Sequence, residues 1–431
     1  MAVVPERRVL IKNVRIFNGV DANLLHGSIV IQGAVISKIL QGASVEELNH
    51  NDFSQVIDGG GRVASPGFID IHSHPMLCMP IPEFMQSSQW TIALYGAKAL
   101  KTILSHGFTT IRDAGGSDGS ISKAVDEGLV EGPRVFPSAK ILSQTCGHVD
   151  FFPPNGVDSD NGCHCAKMKH LKGIASVVDG VDAVRLAVRE NFKHGATQIK
   201  ICTSGGVASP LDPIHAVQFS PEEIRAAVLE AEHFGETYVM AHSYTTASVR
   251  HSIENGVKCI EHGHLIDDET AKMCAEKNVV VSTQFAIFDA LFTGGMDKTI
   301  QNKVSLEKAM TFKGKLDSIA SLIRKYNIKT GFGTDCFGEM LENQCNEFPI
   351  RQKFGFSNLQ IMVQATSESA SIIEMCNKRN SYKKFGVIEE GALADILLHE
   401  ENPLDDVSVL ASPDTQLRLI MRDGMIFKNN L

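Results

Sequence analysis

Hydrophobic and polar positions change their spacing twice along the chain, near residues 65 and 385. In both terminal segments, short apolar runs rich in β-branched residues are separated by Asn, Asp and Gly turns, a pattern typical of strands. Between these points, apolar runs alternate with segments of helical periodicity. The pattern therefore predicts a small β-domain built from residues 1–65 and 385–431, with a second domain at residues 66–384 inserted between its halves.

The inserted domain contains eight candidate strands alternating with candidate helices. Helix start signals support the alternation: Ser220, Pro221 and Glu223 combine a capping serine, a proline at the first helical position and a glutamate three residues after the cap. Eight strand–helix units predict an α/β fold, a (β/α)8 TIM barrel with a small β-sandwich domain from both chain ends. The candidate strands are residues 69–74, 109–113, 135–139, 197–202, 237–242, 258–262, 279–283 and 330–334.

Composition and charge exclude several classes of function. The 431 residues are 43% hydrophobic and 21% charged, as in ordinary globular proteins, and the formal net charge of −9 argues against a nucleic-acid or anionic-membrane partner. The first eight residues include Glu6, Arg7 and Arg8 where a secretory signal would need an apolar region, and no uncharged run is long enough to span a bilayer. We therefore expect a soluble, cytoplasmic protein.

The ten cysteines include no Cys-x-x-Cys pair, so a disulfide framework is not indicated and free thiols are expected. Cys163 and Cys165 flank His164, but no second pair at zinc-ligand spacing follows. We interpret this segment as a loop with incidental thiols rather than as a zinc knuckle.

Six side chains of metal-ligand type lie at or near the ends of candidate strands. His72 and His74 are two positions apart in an apolar run, so both imidazoles lie on one face of a strand. Since the carboxyl ends of barrel strands share one rim, the whole set could converge there, although any single member could instead be a satisfied core group. The six residues are His72, His74, Lys200, His242, His262 and Asp335.

Lys200 lies between Ile199 and Ile201, so the isoleucines would face the outer helices and the lysine the barrel interior. A buried ammonium group is costly unless it is paired. Two interpretations follow: Lys200 is paired with a nearby carboxylate, or it loses its proton, adds carbon dioxide and bridges two metal ions as a carbamate.

These six residues, in this order and context, resemble the metal centre of the amidohydrolase superfamily, and the resemblance extends over nearly the whole chain. Residues 202–210, 241–245 and 260–263 are more narrowly similar to the branch that holds Xaa-Pro and related dipeptidases, and ochratoxinase. The resemblance implies two divalent ions, expected to be zinc. It places His72, His74 and Asp335 on the buried ion, His242 and His262 on the more exposed ion, and carboxylated Lys200 together with a hydroxide between them.

The resemblance also implies the reaction, which is hydrolysis of an amide bond to a C-terminal amino acid. The substrate would be a dipeptide, an N-acyl amino acid or an ochratoxin-type conjugate. Asp335 would act as general base, and His148 and Tyr244 would hold the substrate. Val149 stands where the branch usually has the second glycine of a Gly-His-Gly-Asp element, which affects the expected reach of His148. His264 is a candidate to support His262, and His251 is expected at the surface.

Two other functions compete with this prediction. A mononuclear relative of the imidazolonepropionase or cytosine deaminase type generally carries a glutamate a few residues after the histidine that matches His242, and residues 243–246 contain none. A non-catalytic scaffold such as the collapsin-response proteins would have lost metal ligands, whereas all six are present. By analogy with relatives, a homo-oligomer is expected.

Overall fold

The computed structural model describes residues 7–41, 52–151, 173–295 and 303–431. The predicted loop around Cys163 and Cys165 therefore lies outside the described residues, whereas the eight described cysteines are free thiols, as predicted. The strands are β1 (Arg8–Ile16), β2 (Leu25–Gln32), β3 (Val35–Gln41), β4 (Gln55–Asp58), β5 (Val63–Pro66), β6 (Phe68–Ser73), β7 (Phe108–Asp113), β8 (Arg134–Phe136), β9 (Ile141–Ser143), β10 (Ala175–Val177), β11 (Ile199–Cys202), β12 (Val239–Thr245), β13 (Cys259–Leu265), β14 (Val280–Ser282), β15 (Ile396–His399), β16 (Leu417–Arg422) and β17 (Met425–Asn429).

Helices follow most strands of the inserted domain. Among the described helices, none has both the length and the apolar character that crossing a bilayer requires. The α-helices are Ile81–Gln86, Gln89–Ser105, Gly119–Asp126, Val181–Lys193, Pro221–His233, Thr246–Glu254, Asp268–Glu276, Ala286–Ala290, Lys303–Met310, Leu316–Tyr326, Glu347–Lys353, Asn358–Val363, Ser369–Ile373 and Pro413–Gln416, with 3-10 turns at Gly338–Asn346, Glu374–Arg379 and Val407–Ala411 and π-helical turns at Leu291–Gly295 and Gln364–Glu368.

The predicted helix start at Ser220 is confirmed. The Ser220 hydroxyl accepts a hydrogen bond from the Glu223 backbone, and the Glu223 carboxylate accepts one from the Ser220 backbone. The final helix, predicted over residues 362–375, is instead divided by the π-helical turn at Gln364–Glu368. Within that turn, the hydroxyls of Thr366 and Ser367 donate hydrogen bonds to backbone carbonyl groups, including that of Gly19.

Strands from both chain ends form one sheet of eight strands in the order β17-β16-β15-β5-β1-β2-β3, with β4 also paired to β1. The connection is made by β5, which runs parallel to β1 and antiparallel to β15. Apolar side chains from both ends, including Ile11, Ile29, Ile396 and Leu419, pack in one cluster on this sheet. The association of the two ends is therefore as predicted, while their pairing is that of a single sheet, and the β-sandwich and the domain boundaries remain predictions.

The inserted domain has an α/β architecture, but its strands pair as two parallel sheets rather than one closed ring. One sheet has the order β6-β7-β8 and the other β10-β9-β11-β12-β13-β14. Residues 330–334, predicted as the eighth strand, are not a regular strand. They still connect the two sheets, because Thr330 Oγ1 donates to Val281 O at 2.6 Å and Ile71 N donates to Phe332 O at 2.8 Å.

Close packing explains why this segment needs glycine. A Cβ on Gly331 would lie 2.6 Å from Ile71 Cδ1, and one on Gly333 would lie 3.0 Å from the Cβ of His72. Glycine permits this approach but weakens a regular strand. The segment therefore keeps individual hydrogen bonds to β6 and β14 without a full ladder.

Arg134 on β8 joins the inserted domain to the terminal sheet. Its guanidinium group is fully buried, lies 2.8 Å from Asp395 Oδ2 and also pairs with Asp423. It donates a further hydrogen bond to Thr110 Oγ1 at 2.7 Å. Asp395 directly precedes β15, and Asp423 lies between β16 and β17, so this contact ties β8 to the C-terminal strands of the terminal sheet.

Replacing Arg134 with methionine is expected to lower the free energy of unfolding by about 3–5 kcal/mol, because two carboxylates would be left without their buried cation. Urea denaturation followed by circular dichroism would measure the change. The exposed pair between Lys101 and Glu131, with an N–O distance of 3.0 Å, offers a control. Lys101→Met should cost about 1 kcal/mol or less. Similar losses in both variants would contradict the role given to Arg134.

Candidate metal centre

Three of the six predicted ligands converge at one point. The Nε2 atoms of His72 and His74 lie 3.6 and 3.5 Å from Asp335 Oδ1, and one ligand atom from each residue lies within 4.8 Å of the other two. His72 is on β6, His74 follows that strand directly, and Asp335 N donates a 2.8 Å hydrogen bond to His72 O. Asp335 has a φ of +55°, a conformation that non-glycine residues rarely adopt and that tends to occur at functional sites.

In both imidazoles of this cluster, a hydrogen-bond acceptor lies beside Nδ1 and fixes the orientation of the ring. His74 Nδ1 lies 2.9 Å from the carbonyl oxygen of Gly115, and His72 Nδ1 lies 2.5 Å from Glu261 Oε2. When Nδ1 donates to such an acceptor, Nε2 keeps its lone pair and can bind a metal ion. The donor set of two imidazoles and a carboxylate therefore fits a divalent ion such as zinc.

His242 and His262 lie beside this cluster but are not part of the three-residue group. The ring centroids of His72 and His262 are 5.0 Å apart, and those of His262 and His242 are 4.6 Å apart. His242 Nε2 lies 3.2 Å from the carbonyl oxygen of Gly205. The buried Nδ1 of His262 has no hydrogen-bond partner among the described residues. These two rings thus extend the row of imidazoles that begins at His74.

Lys200 lies on β11 and lines the same cavity as the five other predicted ligands. Its side chain is buried, with 2% of the residue exposed. Within the described parts of the chain, no carboxylate lies within ion-pair distance of its Nζ atom. A charged amine in this position would therefore have no partner there.

Burial keeps the imidazoles neutral and the carboxyl group weakly acidic. Burial, reinforced by the positive charge of Lys200, lowers the pKa of His72 to about 4, and burial also holds the pKa values of His74, His242 and His262 well below their usual range. Burial raises the pKa of Asp335 to about 7, although Lys200 opposes the shift. Neutral imidazole is the form that binds metals, so these shifts favour ligation.

The cluster forms the floor of a cavity of about 400 Å³, within the size range of small-molecule sites. Its lining is mainly apolar, and most of its polar lining residues are the six predicted metal ligands. Apolar lining residues include Leu77, Met79, Ile141, Val207, Phe288 and Phe337. The arrangement can hold a small molecule that has apolar parts on either side of a polar bond.

His148 lines this cavity and stacks on His242, with ring centroids 4.1 Å apart and an interplanar angle of 21°. Its Nδ1 lies 2.6 Å from Ser209 Oγ and 3.3 Å from Asp212 Oδ2. Val149 has a φ of +66°, so it adopts the backbone conformation that favours glycine, which the branch pattern has here. The replacement therefore keeps the turn, at a cost in strain, and His148 still reaches the cavity.

Tyr244 also lines the cavity. Its ring stacks on His262 at 4.8 Å and meets His242 edge-on at 4.7 Å. His264 does not line the cavity, and its Nε2 lies 2.9 Å from the carbonyl oxygen of Gln284. His251, predicted at the surface, is partly exposed, and its Nε2 lies 3.0 Å from the carbonyl oxygen of Phe219.

Sequence reasoning missed Glu261 and Arg112, which lie behind His72. Both are fully buried, and Arg112 Nη2 lies 2.5 Å from Glu261 Oε1. Burial opposes ionisation of Glu261, but Arg112 and His72 outweigh it and hold the pKa of this carboxyl group well below its usual range. The signal that could have found them is a charged residue within each of two strands whose residues are almost all buried.

Comparisons with known proteins agree with this geometry. The sequence model of the amidohydrolase family matches residues 63–426. Ochratoxinase from Aspergillus niger is 28% identical over 328 residues, which cover 75% of this chain and 66% of that protein, so the chain spans just under two thirds of that relative.

Two solved structures resemble the whole chain. A prolidase complexed with N-methylphosphonate-L-proline has a TM-score of 0.88 and 37% identity, with 98% of this chain and 100% of that chain covered. A Xaa-Pro dipeptidase with bound methionine has a TM-score of 0.83 and 27% identity, with the same coverage. The chain therefore belongs to the amidohydrolase family of hydrolytic enzymes, in the branch that holds Xaa-Pro dipeptidases and ochratoxinase.

Proposed function

We propose that this protein is a binuclear metal-dependent hydrolase that cleaves an amide bond to a C-terminal amino acid. The observation that carries the proposal is the convergence of His72, His74 and Asp335 on one point at the floor of an apolar cavity. The buried Lys200, without a carboxylate partner among the described residues, supports a carbamate at this position.

In this proposal, His72, His74 and Asp335 would hold one zinc ion, His242 and His262 would hold the second, and carboxylated Lys200 would bridge them. The chemistry that the two ions supply is a water of lowered pKa and a polarised substrate carbonyl. The carboxylate of Asp335 takes a proton from the attacking water and passes it to the leaving amine.

The substrate would lie in the cavity with its amide bond above the metal ligands. His148 and Tyr244, which both line the cavity, would hold the carboxylate of the substrate or its carbonyl oxygen. Apolar walls would surround the side chains on either side of the bond. Dipeptides, N-acyl amino acids and ochratoxin-type conjugates share this chemistry, and the structures of a prolidase and an ochratoxinase are among those similar to this chain.

The experiment that tests this proposal is a mass-spectrometric screen of dipeptides, N-acyl amino acids and ochratoxin A, with zinc and bicarbonate supplied. Release of a free amino acid from at least one class is the expected result. If no amide is cleaved by zinc-loaded protein, the proposal is wrong.

A mononuclear cyclic-amide hydrolase or deaminase remains the second candidate, because only His72, His74 and Asp335 form a compact ligand group among the described residues. Metal analysis separates the two functions. The binuclear enzyme should hold about two zinc ions per chain, and the mononuclear enzyme about one.

Zinc affinity of the protein is expected to fall as pH decreases below about 7. The Asp335 carboxyl group has a pKa of about 7 without metal, so at lower pH a proton must leave before zinc can bind. The affinity should fall about tenfold per pH unit, since one proton competes with the metal. Competition with a zinc chelator between pH 5 and 8 would measure the slope, and Asp335→Asn should flatten it. An unchanged slope in that variant would assign the proton to another group.

The cytoplasmic location, the homo-oligomeric state and the small-molecule amide partner remain predictions. Light scattering of the purified protein would test the oligomeric state directly.

A further inference from the structure

Glu261 and Arg112 form a fully buried ion pair that the proposed reaction does not use directly. Arg112 is on β7 and Glu261 is on β13, and neither lines the cavity. An ion pair this deeply buried costs desolvation energy, so it is weak evidence for stability and calls for another explanation. That explanation is the contact of the second carboxylate oxygen of Glu261, Oε2, with His72.

Arg112 can orient Glu261 because each of the three nitrogens of its guanidinium group has a hydrogen-bond partner. Its Nε donates to the carbonyl oxygen of Ile71 at 2.6 Å, and its Nη1 lies 3.1 Å from the Tyr238 hydroxyl. Its Nη2 donates to Glu261 Oε1 at 2.5 Å. The other oxygen, Oε2, then faces His72 Nδ1 at 2.5 Å. An ionised carboxylate can only accept hydrogen bonds, so His72 Nδ1 must carry the proton.

One neighbouring group could favour the opposite tautomer. Gln284 Nε2 lies 3.1 Å from the same His72 Nδ1. However, the two N–H groups of this amide have other acceptors, the carbonyl oxygen of Ser282 at 2.7 Å and its hydroxyl at 3.0 Å. The shorter, charge-assisted contact with Glu261 therefore decides the position of the proton.

We propose that Glu261, held by Arg112, is a positioning residue that fixes His72 with its proton on Nδ1 and presents the Nε2 lone pair to a metal ion. The inference rests on the metal site of the proposed function. His74 receives the same orientation from a neutral carbonyl, that of Gly115. A carboxylate is a stronger acceptor than a carbonyl group and also raises the basicity of the imidazole. His72 would therefore bind the metal ion more tightly than His74.

Glu261→Gln tests this proposal. In the variant, the amide oxygen is expected to face Arg112 and the amide nitrogen to face His72 Nδ1, which must then accept a hydrogen bond. The proton of His72 would move to Nε2 and block the metal. Zinc affinity, measured by competition with a chromophoric chelator in the absence of substrate, is expected to fall about 10- to 100-fold.

Glu347→Gln is the matched control. Glu347 is also fully buried and paired with an arginine, with 2.8 Å between its Oε1 and Arg351 Nε. Its remaining hydrogen bonds come from the backbone of Phe285 and Ala286 rather than from a proposed ligand. Both variants should unfold at a lower urea concentration, but only Glu261→Gln should lose zinc affinity. Wild-type affinity in Glu261→Gln, or an equal loss in both variants, would overturn the proposal.

A measurement on the unaltered protein covers the case in which Glu261→Gln does not fold. In metal-free wild type labelled with nitrogen-15 at histidine, NMR should show His72 protonated on Nδ1, and protonation on Nε2 would overturn the proposal. Wild-type protein that binds no zinc would instead refute the proposed function. The two failures are therefore distinguishable.

Discussion

Replacing Lys200 with alanine is expected to abolish amide hydrolysis and to lower the zinc content of the protein. Lys200 is buried beside four histidines and Asp335, and no described carboxylate pairs with it. An alanine supplies neither a carbamate nor any other anion to hold two ions together, so the second ion should be lost first. Zinc analysis and single-turnover assays on the same sample would measure both effects.

Short carboxylic acids are expected to restore part of the activity of Lys200→Ala, because they can occupy the space of the carbamate. Lys200→Arg is the matched control, since it keeps the positive charge and much of the length but cannot form a carbamate. It should be inactive and should not respond to added acids. Unchanged activity in Lys200→Ala would show that no carbamate bridge is needed.

Replacing Asp335 with asparagine is expected to reduce kcat by about 10²- to 10⁴-fold, the usual contribution of a general acid–base group. Asparagine can accept a hydrogen bond but cannot take up the proton of the attacking water. His72 and His74 remain in place, so part of the zinc should stay bound. Activity per bound zinc therefore separates the loss of the base from the loss of the metal.

Asp317→Asn serves as the control for this variant, because Asp317 lies exposed in the helix Leu316–Tyr326. It should keep wild-type kcat and zinc content. If Asp335→Asn retained full activity with zinc bound, another group would have to act as the base, and the role given to Asp335 would be wrong.

Much of the fold was predictable because its signals are local. The helix start at Ser220 depends on residues within one turn, and it is confirmed. The placement of Lys200 toward the cavity depends on strand alternation between Ile199 and Ile201, which pack in the apolar core. The irregular segment at residues 330–334 was not predictable in the same way. It depends on the approach of Gly333 to His72, which is more than 250 positions away in the chain.

In the candidate site, too, local signals identified some residues, whereas contacts between residues distant in the chain were not predictable. Residue types and their positions at strand ends identified His72, His74 and Asp335, which the structure brings together. The contact of Glu261 with His72 joins residues 189 positions apart, and strand alternation alone places Glu261 on the face opposite to that of His262. The positive φ of Val149 is not predicted by the residue itself, because a β-branched side chain disfavours a left-handed conformation; only the glycine of the branch pattern at this position points to it.

The sequence by itself determined which residues have the chemistry of metal ligands and that they lie in or directly after apolar runs, because side-chain chemistry and the two-residue period of a strand are local properties. Only the tertiary structure decided which of them lie together and which nitrogen of His72 and of His74 faces Asp335. It also decided that the buried charges of Glu261 and Arg112 lie next to His72. These features depend on how strands that are distant in the chain pack against one another, and the sequence of one strand does not show which distant residues its side chains will contact.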